Sequence, residues 1–428
     1  MLAVAWFCAA TVTVPIAAAQ QACPVVDGVV HADRCAPGWS PGDATAALGS
    51  AFGSGAHTVI VRKMASPWVL SSTVSLALGN QTVIFQAGVV VEARRMAPYW
   101  NESGNGAPRP LLRSAAAGSR NVTLRGPAPG AAGGSATLRM WKVDYLNSTL
   151  YPVHDEWRHV LWLAGAEDIH VADLTLSSSG GDGISMDWRC QRVHLLRLTL
   201  DDNYRNALTI TAANDVLVES CVLSNTRGTA PSAGCDIEPD FPWSDLSNIS
   251  FVDCSFQNNA GAGFQMAPGA IRPWNRTQWP GYSCAHAKAS QPITGVGPAC
   301  PLSVSLDRCV IDGGGCAVVE GRATAGCTHG EGPGPGRTWD GIGENYGIAV
   351  GGGHADGPSG SFVVSDSKVS NTALSGLMVS EKAATAYRVS FRSVQLVHTA
   401  LNDTDCEIKS CNSLLPAFIS APSCDRND

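Results

Sequence analysis

Three carboxyl groups recur at equivalent places in a repeated pattern: Asp187 in Asp182-Gly-Ile-Ser-Met-Asp187, and Asp236 and Glu238 in Gly234-Cys-Asp-Ile-Glu238. Cleaving a glycosidic bond takes two carboxyls, one to protonate the leaving oxygen and one to activate water or attack the sugar. They stand about 6.5–9.5 Å apart for inversion and about 5–5.5 Å apart for retention. Residues two apart on a strand are roughly 6.5–7 Å apart and neighbouring rungs about 4.8 Å. Asp236 and Glu238 therefore fit the wider spacing, with Asp187 about two rungs away. Crowded acids raise one another's pKa, which suits a general acid near neutral pH. The expected roles are Glu238 as general acid, Asp236 as base for water and Asp187 as pKa-setting neighbour. Two other readings stay open: a Ca²⁺ site built from the same oxygens, and outward acids that only keep a sheet face soluble.

Other polar groups cluster at the neighbouring corners. Asp182 and Arg205 precede the first two rungs, and Asp201-Asp202-Asn203-Tyr204-Arg205 reads both as a turn and as a binding cluster. Arg205 can grip a uronate carboxylate and Tyr204 can act as acid or base, the equipment of a polysaccharide lyase. His154-Asp-Glu-Trp-Arg-His159 does not space its histidines for one helix face; Trp157 and Arg158 are instead candidates for a groove floor, alongside packing roles. Gln265 continues the column that holds Asp236. The expected substrate-binding set is Asp182, Tyr204, Arg205, Gln265, Trp157 and Arg158. Trp274, Trp279, Tyr282 and Trp339 are further aromatics suited to stacking on sugar rings.

The elements that position these groups follow from the repeat itself. Ile169, Val171 and Leu174 lead to Asp182–Asp187; Val193, Leu195 and Leu198 lead to Asn206–Thr211; Val216, Val218 and Cys221 lead to Gly234–Glu238; Ile249, Phe251 and Cys254 lead to Gly263–Met266. Period-2 alternation inside a unit of about two dozen residues, with no helical pattern between, predicts the stacked coils of a parallel β-helix. Aligning Ile184/Met186, Leu208/Ile210, Cys235/Ile237 and Phe264/Met266 inward puts Ser185, Thr209, Asp236 and Gln265, then Asp187, Thr211, Glu238 and Ala267, on one exposed ribbon. Residues 269–300 and 321–345 interrupt the repeat without shifting its phase, which predicts loops projecting from one corner. The expected divisions are a signal peptide at 1–19, a cap region at 20–57, the β-helix at 58–400 and a Cys-containing tail at 401–428. Asp43 is placed to cap a short helix over Ala44–Phe52 that plugs the first coil.

Composition bounds the partners. The 45 glycines and 15% charged residues suit tight coil corners. A net charge of −7 excludes nucleic acid, whose phosphates need a basic face. Leu2–Ala19 is apolar and ends in Ala17-Ala18-Ala19, the pattern of a cleaved export signal, with a membrane anchor as the alternative. Fifteen cysteines become fourteen without Cys8, an even number that permits complete pairing. Cys23 with Cys35, Cys284 with Cys300 and Cys316 with Cys327 would close short loops, whereas Cys221, Cys254 and Cys309 share one coil position and should stack inward as small hydrophobes. Seven sequons, at Asn80, Asn101, Asn121, Asn147, Asn248, Asn275 and Asn402, belong on the outer surface.

The runs Glu156-Trp-Arg-His159, Ser179-Gly-Gly-Asp-Gly183, Asn203-Tyr-Arg205, Asn225-Thr-Arg-Gly-Thr229 and Cys235-Asp-Ile-Glu-Pro239 resemble secreted β-helix proteins of the pectin-lyase-like superfamily, a likeness that spans most of residues 40–400. The resemblance implies a right-handed helix and a carbohydrate-related activity. The Asn-Thr-Asp and Gly-His-Gly motifs of polygalacturonases and the Asp-Pro-His-Glu motif of alginate epimerases are absent, so the reaction stays open. The expectation is an all-β, right-handed parallel β-helix, secreted and monomeric, that cleaves a polysaccharide by hydrolysis. It needs no cofactor, with calcium as the alternative, and has no membrane partner once the signal is removed. The rivals are a lyase of uronic-acid polymers and a glycan-binding or matrix protein without catalysis.

Overall fold

A computed structural model describes residues 23–101, 108–151, 155–271, 274–275, 296–297, 300–314, 318–319, 322–323, 346–351, 360–372, 375–379, 388–397 and 406–413. Each regular coil contributes three strands, as in Ile184–Asp187, Cys190–Leu196 and Thr199–Asp201. The first of these joins a nine-stranded parallel sheet, and the other two join a larger sheet that wraps the rest of the coil.

Rung-to-rung register is what the alternation demands. Val59, Val83, Leu124, Val171, Leu195, Val218, Phe251, Leu306, Val364 and Phe391 pair in succession down the axis. All ten are buried. Burying one such side chain stabilises the fold by roughly 1.5–3 kcal/mol, which a coil obtains only from the coil above or below it. Between the two strands of the larger sheet a single residue turns the chain with positive φ: Asp173 (58°), Arg197 (49°), Ser220 (53°), Asp253 (54°) and Arg308 (51°). Ser178, Asp202, Asn225 and Asn258 form a second left-handed column, at the exit from that sheet. Asn and Asp are enriched there because they tolerate this conformation best, so Asp201-Asp202-Asn203 is first of all a corner. Its carboxyls are spent inside the coil stack: Asp201 accepts from Ser224 and Asn225, both at 2.7 Å, and Asp202 pairs with Lys142.

The N-terminal helix spans Thr45–Phe52 and buries Ala47, Leu48, Ala51 and Phe52 over the first coil. The N-cap position is Ala44, which has no capping side chain; Asp43, one residue earlier, accepts the Thr45 N–H at 2.9 Å, and Gln81 ties the helix end down through Phe52 O and Ala56 O. Cys23 and Cys35 form a disulfide beside it. Cys300 is also disulfide-bonded, while Cys284, Cys316 and Cys327 lie outside the described residues. Pairing is not complete: Cys190, Cys221, Cys235, Cys254 and Cys309 are free and buried, because each faces the interior of its coil. Cys221, Cys254 and Cys309 stack as inward hydrophobes, their thiols directed at backbone carbonyls such as Val218 O, 3.3 Å from Cys254.

The interruptions differ from expectation in where they leave the coil. The first follows Phe264–Met266, the second precedes Tyr346–Val350, and both these strands belong to the nine-stranded sheet. The two insertions therefore emerge at opposite edges of that sheet, not at one corner, because one interrupts the turn out of a rung and the other the turn into one. Both leave the register intact: Phe251 pairs with Leu306 and Leu306 with Val364 across them. The last described strand, Cys406–Ser413, runs antiparallel to Arg388–Val397. Residues 1–22 and most of both insertions lie outside the described residues, and with them the expected signal, His154, Trp279, Tyr282 and Trp339. Asn80, Asn121, Asn147 and Asn248 are exposed, as sequons require. No helix among the described residues is long and apolar enough to cross a membrane.

Candidate active site

The nine-stranded sheet holds the candidate residues in the predicted columns. Leu161, Ile184, Leu208, Cys235, Phe264 and Ile348 pair down the inner face, all fully buried. Trp162, Ser185, Thr209, Asp236, Gln265 and Ala349 pair down the outer one. That outer column is not an open ribbon, however. Ser185 is 3% exposed, Thr209 1%, Asp236 0%, Gln265 6% and Asp187 7%. Alternation fixes which side of a sheet a residue takes; it does not say what lies on top.

What lies on top begins with the glycine-rich corner before the first rung. A Cβ on Gly181 would stand 2.2 Å from Glu156 O, one on Gly180 2.5 Å from the Tyr145 ring, and one on Gly183 2.6 Å from Ala207 O. Only glycine lets the Glu156–His159 segment settle against this corner. There the Asp182 N–H donates to His159 Nδ1 at 3.0 Å, which places the proton of a neutral ring on Nε2. The guanidinium of Arg205 then lies across the acids, with Nη2 3.0 Å from Glu238, Nε 3.5 Å from Glu156 and Nη1 3.8 Å from Asp182.

Electrostatics sort these groups. Burial holds the Asp182 carboxyl up at about 6 against the pull of Arg205, and pushes His159 down to about 4. Burial, then Glu238, raises Asp236 well above the ordinary carboxylate range. Asp236 accepts from the Asn206 side-chain amide at 3.4 Å through one oxygen, and its other oxygen has no hydrogen-bond partner. Asp240 stays exposed at the edge, where burial of its carboxyl and the charges of Asp187 and Glu238 push it up to about 6. Thr211 links it to Asp187: the hydroxyl donates to Asp187 at 2.8 Å and also bonds Asp240. Asp187 also accepts from Trp162 Nε1 and, at 3.2 Å, from Ser185.

Of the expected residues, the structure brings Asp182, Asp187, Arg205, Asp236, Glu238 and Gln265 together. Glu238 keeps 47% of its side chain exposed. Two do not reach a groove. Arg158 is 1% exposed, donating to Trp100 O and Asp155 O and stacked over Tyr145 and Tyr151, so it fastens the corner instead of contacting a ligand. Tyr204 is 6% exposed and its ring lies where a Cβ on Gly228 would be, 2.2 Å away, which leaves it a packing role. Trp157 is 37% exposed beside His159. The column reading missed Asp240, Trp188, Phe241 and Trp243. Phe241 stacks on Trp243 with centroids 5.0 Å apart, and Trp188, itself 53% exposed, meets Phe241 at 5.8 Å. A signal was present: Trp188 directly follows Asp187, and Asp240-Phe241-Pro242-Trp243 directly follows Glu238-Pro239.

No family model matches the chain. No curated protein does either. Among solved structures, the Dettilon tailspike protein superposes with a TM-score of 0.52 at 9% identity, over 87% of this chain and 55% of its own. The chain is a right-handed parallel β-helix. It thus spans about half the tailspike's length. Looser likenesses are PfbA, a surface adhesin of Streptococcus pneumoniae (TM-score 0.42, 9% identity, 84% of this chain and 89% of that one), and an exopolygalacturonase from Thermotoga maritima (0.42, 8%, 93% and 97%). At 9% identity the tailspike likeness speaks to fold alone. Elsewhere on this β-helix a cavity of about 280 Å³ opens under the Pro127–Ser135 loop, on the larger sheet and away from the acids. Among the described residues, no group of three or more His, Cys, Asp or Glu is arranged to hold a metal ion.

Proposed function

We propose that this protein is an exported glycoside hydrolase that cleaves a polysaccharide at the edge of the nine-stranded sheet. One observation carries the reading: Asp240, exposed and beside Glu238 and Asp187, is a carboxylic acid whose pKa is held up at about 6. A carboxylic acid whose pKa is raised toward neutrality is what protonating a glycosidic oxygen requires. Asp240 is the general acid, Glu238 the second carboxyl that activates water or attacks the sugar, and Asp187 the neighbour that tunes Asp240. Asp236, with no surface of its own, is not the base for water.

The test is a polysaccharide panel scored for reducing ends and for unsaturated ends. The expected result is new reducing ends without ultraviolet-absorbing products, and a fall in kcat of about 10²–10⁴-fold in Glu238→Gln and in Asp240→Asn. The Asp240→Asn profile also loses its decline above pH 6 or so. Unsaturated products would establish a lyase instead, and variants that cleave at the wild-type rate would remove these residues from the reaction.

A further inference from the structure

The charge balance at the site says what kind of glycan it accepts. Glu156, Asp182, Asp187, Asp236, Glu238 and Asp240 converge on it, and the cation acting on Asp182, Asp236 and Asp240 is Arg205. All three guanidinium nitrogens of Arg205 face protein carboxylates, at 3.0, 3.5 and 3.8 Å. Only the Nη2–Glu238 contact is a hydrogen bond; on Glu156 and Asp182 the guanidinium acts as a nearby charge, and a uronate reaching for it would compete with all three carboxylates. A chain of uronates would add its charges to a cluster in which Asp182 and Asp240 already hold their protons up to about pH 6. Trp188, 53% exposed, meets Phe241 beside the acids, with the buried Trp243 stacked behind Phe241, and the buried Oε1 of Gln265, next to Asp236 in the column, has no partner. Aromatic faces match the C–H faces of sugar rings, and a carbonyl oxygen accepts from a hydroxyl.

We infer that the site takes an uncharged polysaccharide, its rings seated on Trp188 and Phe241 and its hydroxyls turned to the carboxylates, and that it excludes polyuronates. Cleavage of that glycan rests on the hydrolase reading; its recognition does not.

Native affinity gels cast with uncharged polymers (glucans, mannan, galactan, unsubstituted xylan), with polygalacturonate and with alginate test this on the full chain. At least one uncharged polymer should retard the protein equally at about 0.05 M and about 0.5 M salt, since no ion pair is being screened. Trp188→Ala should weaken that retardation about tenfold or more, and the polyuronates should not retard at all. Retardation by a polyuronate, or by none of the uncharged polymers, overturns the inference. The reducing-end assay keeps the two proposals apart. An uncharged polymer bound but never cut sinks the hydrolase and leaves this inference standing. A polyuronate cut hydrolytically does the reverse.

Discussion

The two walls of the coil carry the same alternating sequence pattern and put it to opposite uses. On the larger sheet the outward residues are half exposed and pair along the surface: Arg197 with Asp173 at 2.7 Å, Arg192 with Asp168 at 2.5 Å, Arg308 with Asp253 at 2.8 Å. Each of these arginines keeps 42–52% of its side chain in water, where such pairs contribute about 0–1 kcal/mol. On the nine-stranded sheet the ratio is reversed. One arginine, with 17% of its side chain exposed, serves Glu156, Asp182 and Glu238 and acts on the fully buried Asp236. The first wall is a solvated surface that any polar residues would furnish. The second holds charge away from water, an arrangement that costs stability and has to be maintained by backbone contacts such as the glycine corner at 180–183.

If that contrast is real, Arg205→Ala should be the most damaging charge deletion in the molecule. Removing it leaves several carboxyls buried without their counter-ion, a loss on the order of 3–5 kcal/mol. The direction with pH is fixed as well. Arg205 lowers the pKa of Asp182 and of Asp236. Without it those carboxyls bind protons more readily in the folded state, so the destabilisation is largest at pH 7–8 and shrinks as acid neutralises them. Denaturant titrations of wild type and variant at about pH 4.5 and 7.5 measure both effects; an equal, small loss at both would place this arginine in the same class as those on the other wall.

The architecture was legible in the sequence because the repeat encodes it. The inner columns Ile184/Met186, Leu208/Ile210, Cys235/Ile237 and Phe264/Met266 stand where alternation put them. The outer side of Asp236 and Glu238 was legible for the same reason. What covers that side was not, since it depends on the paths of the chain between rungs, which carry no period. Tyr204 and Arg158 illustrate the failure. Both look like binding groups by residue type, and both are consumed by packing, against Gly228 in one case and against Trp100, Tyr145 and Tyr151 in the other. Asp240 illustrates the converse: it lies just past the strand Cys235–Ile237, outside any column, and its importance comes from Asp187 and Glu238 meeting it in space.

A smaller effect separates the walls by their protons. The Asp182 carboxyl sits at about 6 in the folded chain against an ordinary value of 3.8. Below the ordinary value both folded and unfolded chains carry the proton, and the folded state suffers no penalty from it. Between the two values the unfolded chain ionises first, so stability falls as pH rises through that window, and the full penalty is present above it. Asp182→Asn removes this dependence while keeping an oxygen to accept the Asn206 N–H, now 3.1 Å away. The Tm of the variant should therefore gain on that of wild type as pH goes from about 4 to about 6.5. A constant gap across that range would mean that Asp182 titrates like a surface carboxylate.

The smallest effect belongs to the outer wall. Arg197 leaves 42% of its side chain in water, and its partner Asp173 occupies a left-handed corner that the backbone keeps with or without the ion pair. Replacing the arginine by alanine removes a guanidinium that water can substitute for, though Arg197 itself has a φ of 49°, a conformation alanine tolerates no better. Arg197→Ala should therefore change stability by no more than about 0.5 kcal/mol, with the difference vanishing in about 1 M salt. A loss near that of Arg205→Ala would show that the ladder of surface pairs, and not the buried cluster, is where this β-helix depends on charge.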